Sequence, residues 1–160
     1  MKFLLHEIES SLRLKPAMQH CIAVQLLYQL TGRGEPFCYT KYGKPYWEEG
    51  PYFNYSHCLS GIIVAVSEKP VGVDIESYRH FDEELMRRVM NEEECRDILN
   101  DAEPPKRFIY YWTRKEAYLK YKGVGITEDL RDCLRSADAV QLETVMGPRY
   151  CYTICVPNEQ

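Results

Sequence analysis

Along this chain, segments in which apolar residues alternate or run together are interleaved with segments in which they recur every three to four positions. That mixture predicts strands and helices in one fold. Residues 3–8 predict a short strand, and Pro16 suits the first turn of a helix running to about Leu30 and stopped near Gly32. Met18, Ile22, Leu26 and Leu30 form one apolar stripe on it, widened by Ala23, Val24 and Leu27, so this helix is expected to be mostly buried. Residues 36–42 read as strand. Tyr42-Gly43-Lys44-Pro45 is a turn expected to leave Lys44 exposed, and 52–55 is a short strand running into Ser56-His57. Residues 61–67 form a continuous apolar strand, Glu68-Lys69-Pro70 turns it, and 71–76 returns as its hairpin partner. Further on, 81–90 is helical, and Asn91 with Glu94 makes a capping box for a helix to about Leu99. Pro104-Pro105 opens a longer helix that Gly123 closes, with Phe108, Ile109, Trp112 and Leu119 inward. Residues 139–145 and 149–156 form a last hairpin about Gly147-Pro148.

Two of these elements carry chemistry. In Val71-Gly72-Val73-Asp74-Ile75-Glu76, the two carboxylates are two residues apart on a strand and point to one side. They repel unless something positive lies between them. A hard divalent cation serves, and Mg²⁺ fits because it takes one or two protein carboxylates and leaves its other positions to water and phosphate. Lysine, arginine or solvent at a strand edge would serve as well. Gly72 in a strand interior marks a bulge or a close backbone approach. On the long helix, Trp112, Glu116 and Lys120 follow at i, i+4 and i+8 along one stripe. By itself, Glu116 with Lys120 is a surface ion pair worth a few tenths of a kcal/mol. Beside Asp74 and Glu76, they add a third carboxylate and an amine. Leu85, Met86, Val89 and Met90 beside Arg87 and Arg88 read equally as core or as a partly apolar, basic docking surface.

Gly43-Lys44-Pro45, Phe53-Asn54-Tyr55-Ser56-His57, Gly72-Val73-Asp74-Ile75-Glu76 and Trp112-Thr113-Arg114-Lys115-Glu116-Ala117, with Lys120 and Gly123, occur in that order. Together they resemble the ordered motifs of the 4′-phosphopantetheinyl transferase superfamily, in its surfactin-synthetase-activating, pseudo-dimeric type. The resemblance implies an α+β fold of two pseudo-twofold-related halves, about 1–75 and 76–160 of a single domain, with the active site in the cleft between them. It implies transfer of the 4′-phosphopantetheine arm of coenzyme A to a serine of an acyl or peptidyl carrier protein, releasing adenosine 3′,5′-bisphosphate. Asp74, Glu76 and Glu116 would hold Mg²⁺, Glu116 would take the serine proton, and Lys120 would stabilise or protonate the departing oxygen. Lys44, Pro45, Ser56, His57, Lys115 and Lys120 would grip coenzyme A. Gln25 stands where the family places a basic residue near the phosphates, and Cys58 stands where it more often has serine. Another Mg²⁺-dependent phosphodiesterase, or a module that binds carrier protein or coenzyme A without catalysis, is the alternative reading.

Composition narrows the partners. A length of 160 residues with 45% hydrophobic content suits one domain with a real core. A net charge of −4 gives no basic excess for a nucleic acid. The seven cysteines are odd in number and scattered, with no C-x-x-C pair, which suits a reduced, cytoplasmic protein. Cys151 and Cys155 are expected to be packing residues rather than metal ligands. No apolar run approaches the roughly 20 residues that span a bilayer. A chain carrying both motif halves is expected to act as a monomer.

Overall fold

The most apolar stretch of the chain becomes the centre of the first sheet. A computed structural model describes residues 1–125 and 130–158. In it, β1 (Lys2–Glu7) and β4 (Tyr52–His57) pair antiparallel on either side of β5 (Gly61–Ser67), giving the order β1-β5-β4. Helix α1 (Pro16–Thr31) covers one face of this sheet, where Ala23 and Leu27 meet Ile62 and Val64. A two-residue ribbon, β2 (Cys38–Tyr39) with β3 (Pro45–Tyr46), lies between α1 and β4 in the sequence. In the second sheet, β6 (Gly72–Ser77) and β7 (Val140–Met146) flank β8 (Tyr150–Pro157), giving the order β6-β8-β7, again antiparallel. Between β6 and β7 run α2 (Glu83–Val89), α3 (Glu92–Asn100), α4 (Pro104–Lys122) and a 3₁₀ turn, Cys133–Ser136. Among the described residues no helix is long and apolar enough to cross a membrane, and no disulfide forms. Cys151 and Cys155 are fully buried packing residues.

Strand alternation sets the layers. Ile63 and Ala65 of the first sheet meet Val71, Val73, Ile75 and Ile154 of the second, while α4 lies across the far face of the second sheet. The order is therefore α1, first sheet, second sheet, α4. The helix ends follow local chemistry. Asn91 and Glu94 make the reciprocal capping box, and Gly123 closes α4 in the left-handed region at φ 70°.

Several expectations need correction. The segments 61–67 and 71–76 do not form a hairpin, because β1 and β4 already occupy both edges of β5 and β6 pairs with β8. The strand expected over 36–42 shrinks to Cys38–Tyr39, since the Thr40–Lys44 turn reverses the chain: Thr40 N–H donates to Lys44 O (2.9 Å). The fully buried line of α1 is Gln19, Ala23 and Leu27; Ile22, Leu26 and Leu30 of the expected stripe pack beside it partly buried, and Met18 is exposed. Small Ala23 brings the helix close to the sheet, and the Gln19 amide donates to Cys58 O (3.0 Å). Met86, Val89 and Met90 are core, so of that expected docking surface only Leu85 is an exposed apolar side chain.

Gly72 marks the close approach. A Cβ there would lie 2.1 Å from Ala117 O and 2.3 Å from Tyr121 N, both α4 backbone. Gly72→Ala is therefore expected to destabilise the protein by about 3 kcal/mol, near the upper end for overpacking, because main-chain atoms cannot rotate aside. The urea midpoint measures it.

Candidate active site

The strand β6 presents Gly72, Asp74 and Glu76 to α4, and α4 answers with the stripe Trp112, Glu116 and Lys120. Asp74 is buried at 4% exposure. Its Oδ1 is 2.6 Å from Lys120 Nζ and accepts from Ser56 Oγ at 2.9 Å, while Lys120 Nζ also donates to Ser56 Oγ at 3.0 Å. Ser56 lies on β4, so this triangle joins both sheets and α4. Next to it, the Asn54 Oδ1 accepts from Val73 N–H at 2.8 Å, pinning the edge of the first sheet to β6. Asn54 and Ser56 are two apart on one strand and face the second sheet together. Asn54 was not among the site residues expected from the sequence, although its alternation with Ser56 was the available signal.

The charges at this site are poorly compensated. Two oxygens, Asp74 Oδ2 and Glu116 Oε1, are buried with no hydrogen-bond partner among the described residues. Burial, then the neighbouring Asp74, pushes the Glu116 carboxyl up to about 7; Lys120 opposes this and Glu76 adds to it. Glu76 is raised for the same reasons, burial first and Asp74 second, against Arg79, Lys120 and a hydrogen bond from Trp112. The three carboxylates and the amine therefore act on one another as the stripe requires. A cavity of about 250 Å³ opens beside them, and its lining includes Tyr42, Lys44, Pro45, Asn54, Glu116 and Lys120.

The donor chemistry suits a hard cation. Among the described residues no three acidic, histidine or cysteine side chains converge as a ready metal-ligand group. Mg²⁺ nevertheless needs only one or two protein carboxylates, with water and phosphate completing its shell. Asp74 Oδ2 and Glu116 Oε1 are two hard oxygens of that kind whose burial is otherwise uncompensated.

Other expected contacts are placed differently. Lys115 is fully buried, 2.8 Å from Glu94 Oε2, and donates to Leu130 O (2.7 Å) and Arg131 O (2.9 Å). It is a structural lysine, and the expectation that it holds coenzyme A phosphate is corrected. Lys44 is half-buried rather than exposed, and its Nζ donates to the carbonyls of Val71 and Lys120. The Ser56 hydroxyl is spent on Asp74 and Lys120. His57, the next residue on the strand, points to the other face, and its pKa is lowered by burial first, then by Lys120 and His20. His57 therefore favours the neutral form in this setting. On that α1 face the ring of His20 joins Tyr55 (Nδ1 to OH, 3.2 Å) and Glu35 (Nε2 to Oε1, 3.0 Å), a network the sequence did not signal.

Fold and site define an α+β protein with a buried acidic cluster, paired with Lys120, beside a small-molecule cavity. Residues 70–155, more than half the chain, match the family model of the 4′-phosphopantetheinyl transferase superfamily, and the chain belongs to that superfamily. It is 35% identical over 94 residues to the 4′-phosphopantetheinyl transferase psf-1 of Bacillus pumilus, covering 55% of this chain and 40% of that protein. It is 32% identical over 104 residues to the transferase Sfp of Bacillus subtilis, covering 62% of this chain and 46% of that one. To the transferase HetI of a Nostoc species it is 32% identical over 142 residues, covering 84% and 57%. The chain thus spans about half the length of the curated relatives it matches.

Proposed function

We propose that this chain transfers the 4′-phosphopantetheine arm of coenzyme A to a serine hydroxyl of an acyl or peptidyl carrier protein. The observation that carries the reading is the pair of unpartnered buried oxygens, Asp74 Oδ2 and Glu116 Oε1, beside a cavity that Glu116 and Lys120 line. The family match and the names of its relatives support the same chemistry.

In the reaction, the serine oxygen bonds to the phosphorus carrying pantetheine, and the bond from that phosphorus to the bridging oxygen of the pyrophosphate breaks. Glu116, a carboxylate at the cavity, takes the serine proton. Lys120 supplies positive charge, or its proton, to the departing oxygen of adenosine 3′,5′-bisphosphate. Ser56 and Asp74 hold that amine in place. Tyr42, Pro45 and the backbone of the Gly43 turn line the cavity that would receive coenzyme A. Asp74 and Glu116, with Glu76 alongside, would hold Mg²⁺. When bound, Mg²⁺ neutralises charge on the pyrophosphate and on the leaving phosphate.

The two sheets support a pseudo-twofold arrangement. In each, a strand, a helical crossover and a two-stranded hairpin give the same antiparallel order, β1-β5-β4 and β6-β8-β7. The halves divide at the 68–71 turn, a few residues before the boundary near 75 expected from sequence. Since Ser56 comes from one half and Asp74, Glu116 and Lys120 from the other, one chain supplies both cleft walls and acts as a monomer.

The test is the intact mass of an apo acyl carrier protein after incubation with the protein, coenzyme A and Mg²⁺, beside a chelated control. A metal-dependent gain of one phosphopantetheine arm is expected, and Asp74→Ala is expected to stay folded and lose it. An active Asp74→Ala sinks the metal assignment. Breakdown of coenzyme A with no mass gain on any carrier points instead to a phosphodiesterase.

A further inference from the structure

We infer that Lys44 is a positioning residue whose ammonium ties together the main chain of the two elements carrying Asp74 and Lys120. The inference rests on the transfer reading and deepens it.

The turn that bears Lys44 is fixed by its own hydrogen bonds. Lys44 N–H and Tyr42 N–H both donate to Thr40 Oγ1, at 3.1 and 3.3 Å, and Gly43 takes φ 81°. From that turn the side chain runs inward. Its Cδ passes 3.9 Å from where a Cβ on Gly123, the closing residue of α4, would stand. Nζ then donates to Val71 O at 3.2 Å and to Lys120 O. Val71 enters β6 three residues before Asp74. Lys120 is the residue whose own amine sits on Asp74, and its carbonyl, in the last turn of α4, also accepts from Gly123 N–H at 3.2 Å. Lys44 therefore grips the backbone at both ends of the Asp74–Lys120 contact.

Two of the three ammonium donors are thus used on main-chain carbonyls. Any ligand phosphate would have to share Nζ with them. Burial lowers the Lys44 pKa to about 8, with Cys155 opposing and Lys120 adding, in keeping with a head group held inside the protein. Lys44 lines the cavity together with Glu116 and Lys120. A displacement of about 1 Å at reacting groups is enough to lower a rate by about a hundredfold, so such a tie matters to the chemistry without touching substrate.

The test compares Lys44→Met, which keeps the stem and removes the donors, with Lys44→Arg, which keeps donors. The readouts are backbone hydrogen exchange over residues 72–76 and 119–124, the Kd of coenzyme A by calorimetry, and kcat and KM of transfer. For Lys44→Met, exchange in both segments is expected to quicken by about tenfold or more. Its kcat is expected to fall by about tenfold or more while the coenzyme A Kd stays within about threefold. Lys44→Arg is expected to recover most of both losses. Unchanged exchange together with a coenzyme A Kd weakened about tenfold makes Lys44 a ligand contact and overturns the inference. If Lys44→Met does not fold, the same two readouts on Lys44→Gln, whose shorter amide cannot span both carbonyls, decide: quickened exchange with an unchanged Kd supports the tie, and unchanged exchange overturns it. If the parent protein binds coenzyme A and transfers nothing, the transfer reading falls, while exchange and Kd still decide the role of Lys44.

Discussion

Glu116→Gln is expected to abolish most transfer, by about a thousandfold, while raising the melting temperature at pH 8. The parent carboxyl titrates near 7 in the folded protein against 4.5 ordinarily, because burial and then Asp74 disfavour its ionised form, with Glu76 adding to that and Lys120 opposing. A carboxyl whose folded pKa is raised contributes stability that is fully present below about 4.5 and lost as pH climbs through about 7. At pH 8 the ionised side chain therefore works against the fold. Glutamine keeps the shape and never ionises. The expected gain is about 1–2 kcal/mol, discounted because the carboxylate is partly hydrated, and corresponds to about 3–6 °C. Thermal melts of both proteins in chelator at pH 5 and pH 8 check this. The difference should be confined to the higher pH, and equal melting at both would show that Glu116 carries no such burden.

The second large effect is at Lys115. Lys115→Met is expected to destabilise by about 3–5 kcal/mol, because it leaves the carboxylate of Glu94, only 8% exposed, buried without its cation. It also strips a donor from the carbonyls of Leu130 and Arg131. Adding Glu94→Leu to Lys115→Met should recover most of that loss, since an apolar pair of similar volume is often neutral in place of a buried ion pair. About 1 kcal/mol should remain lost, because Glu94 Oε2 also accepts from Asn91 N–H in the capping box of α3. Urea unfolding of the two variants measures both steps. A Lys115→Met protein of parental stability with weakened coenzyme A binding would restore Lys115 as a phosphate contact.

Locally determined features were legible in the sequence. The Asn91–Glu94 box, the Gly123 stop, the hairpin about Gly147 and the close approach at Gly72 each depend on residues within a few positions, or on one missing Cβ. The stripe Trp112–Glu116–Lys120 facing Asp74 and Glu76 was legible because helix and strand periods together leave little choice. Lys115 is the neighbour of Glu116 and lies about 100° round the helix from it, so both cannot face the cleft. That much the sequence held. What it did not hold was Glu94 waiting on α3 for the side that faces away. Strand partnership was illegible for a different reason. Whether β6 pairs with β5 depends on whether β1 and β4 have already taken both edges of β5, and no residue between 61 and 76 records that. The phase of α1 misled because its larger apolar side chains, Met18, Ile22 and Leu26, flank the line that is buried, and small Ala23 makes the close contact.

The Asn54 amide on Val73 has a mechanical consequence. The walls of the cleft belong to separate hydrogen-bonded ladders, and the seam between them is crossed by side chains, among them Asn54 to β6, Ser56 to Asp74 and Lys120, and Lys44 to Val71 and Lys120. Widening the cleft by a fraction of an ångström therefore loads side-chain contacts and the apolar packing between the sheets, and breaks no rung of either sheet. Compliance is expected along that seam rather than within either wall.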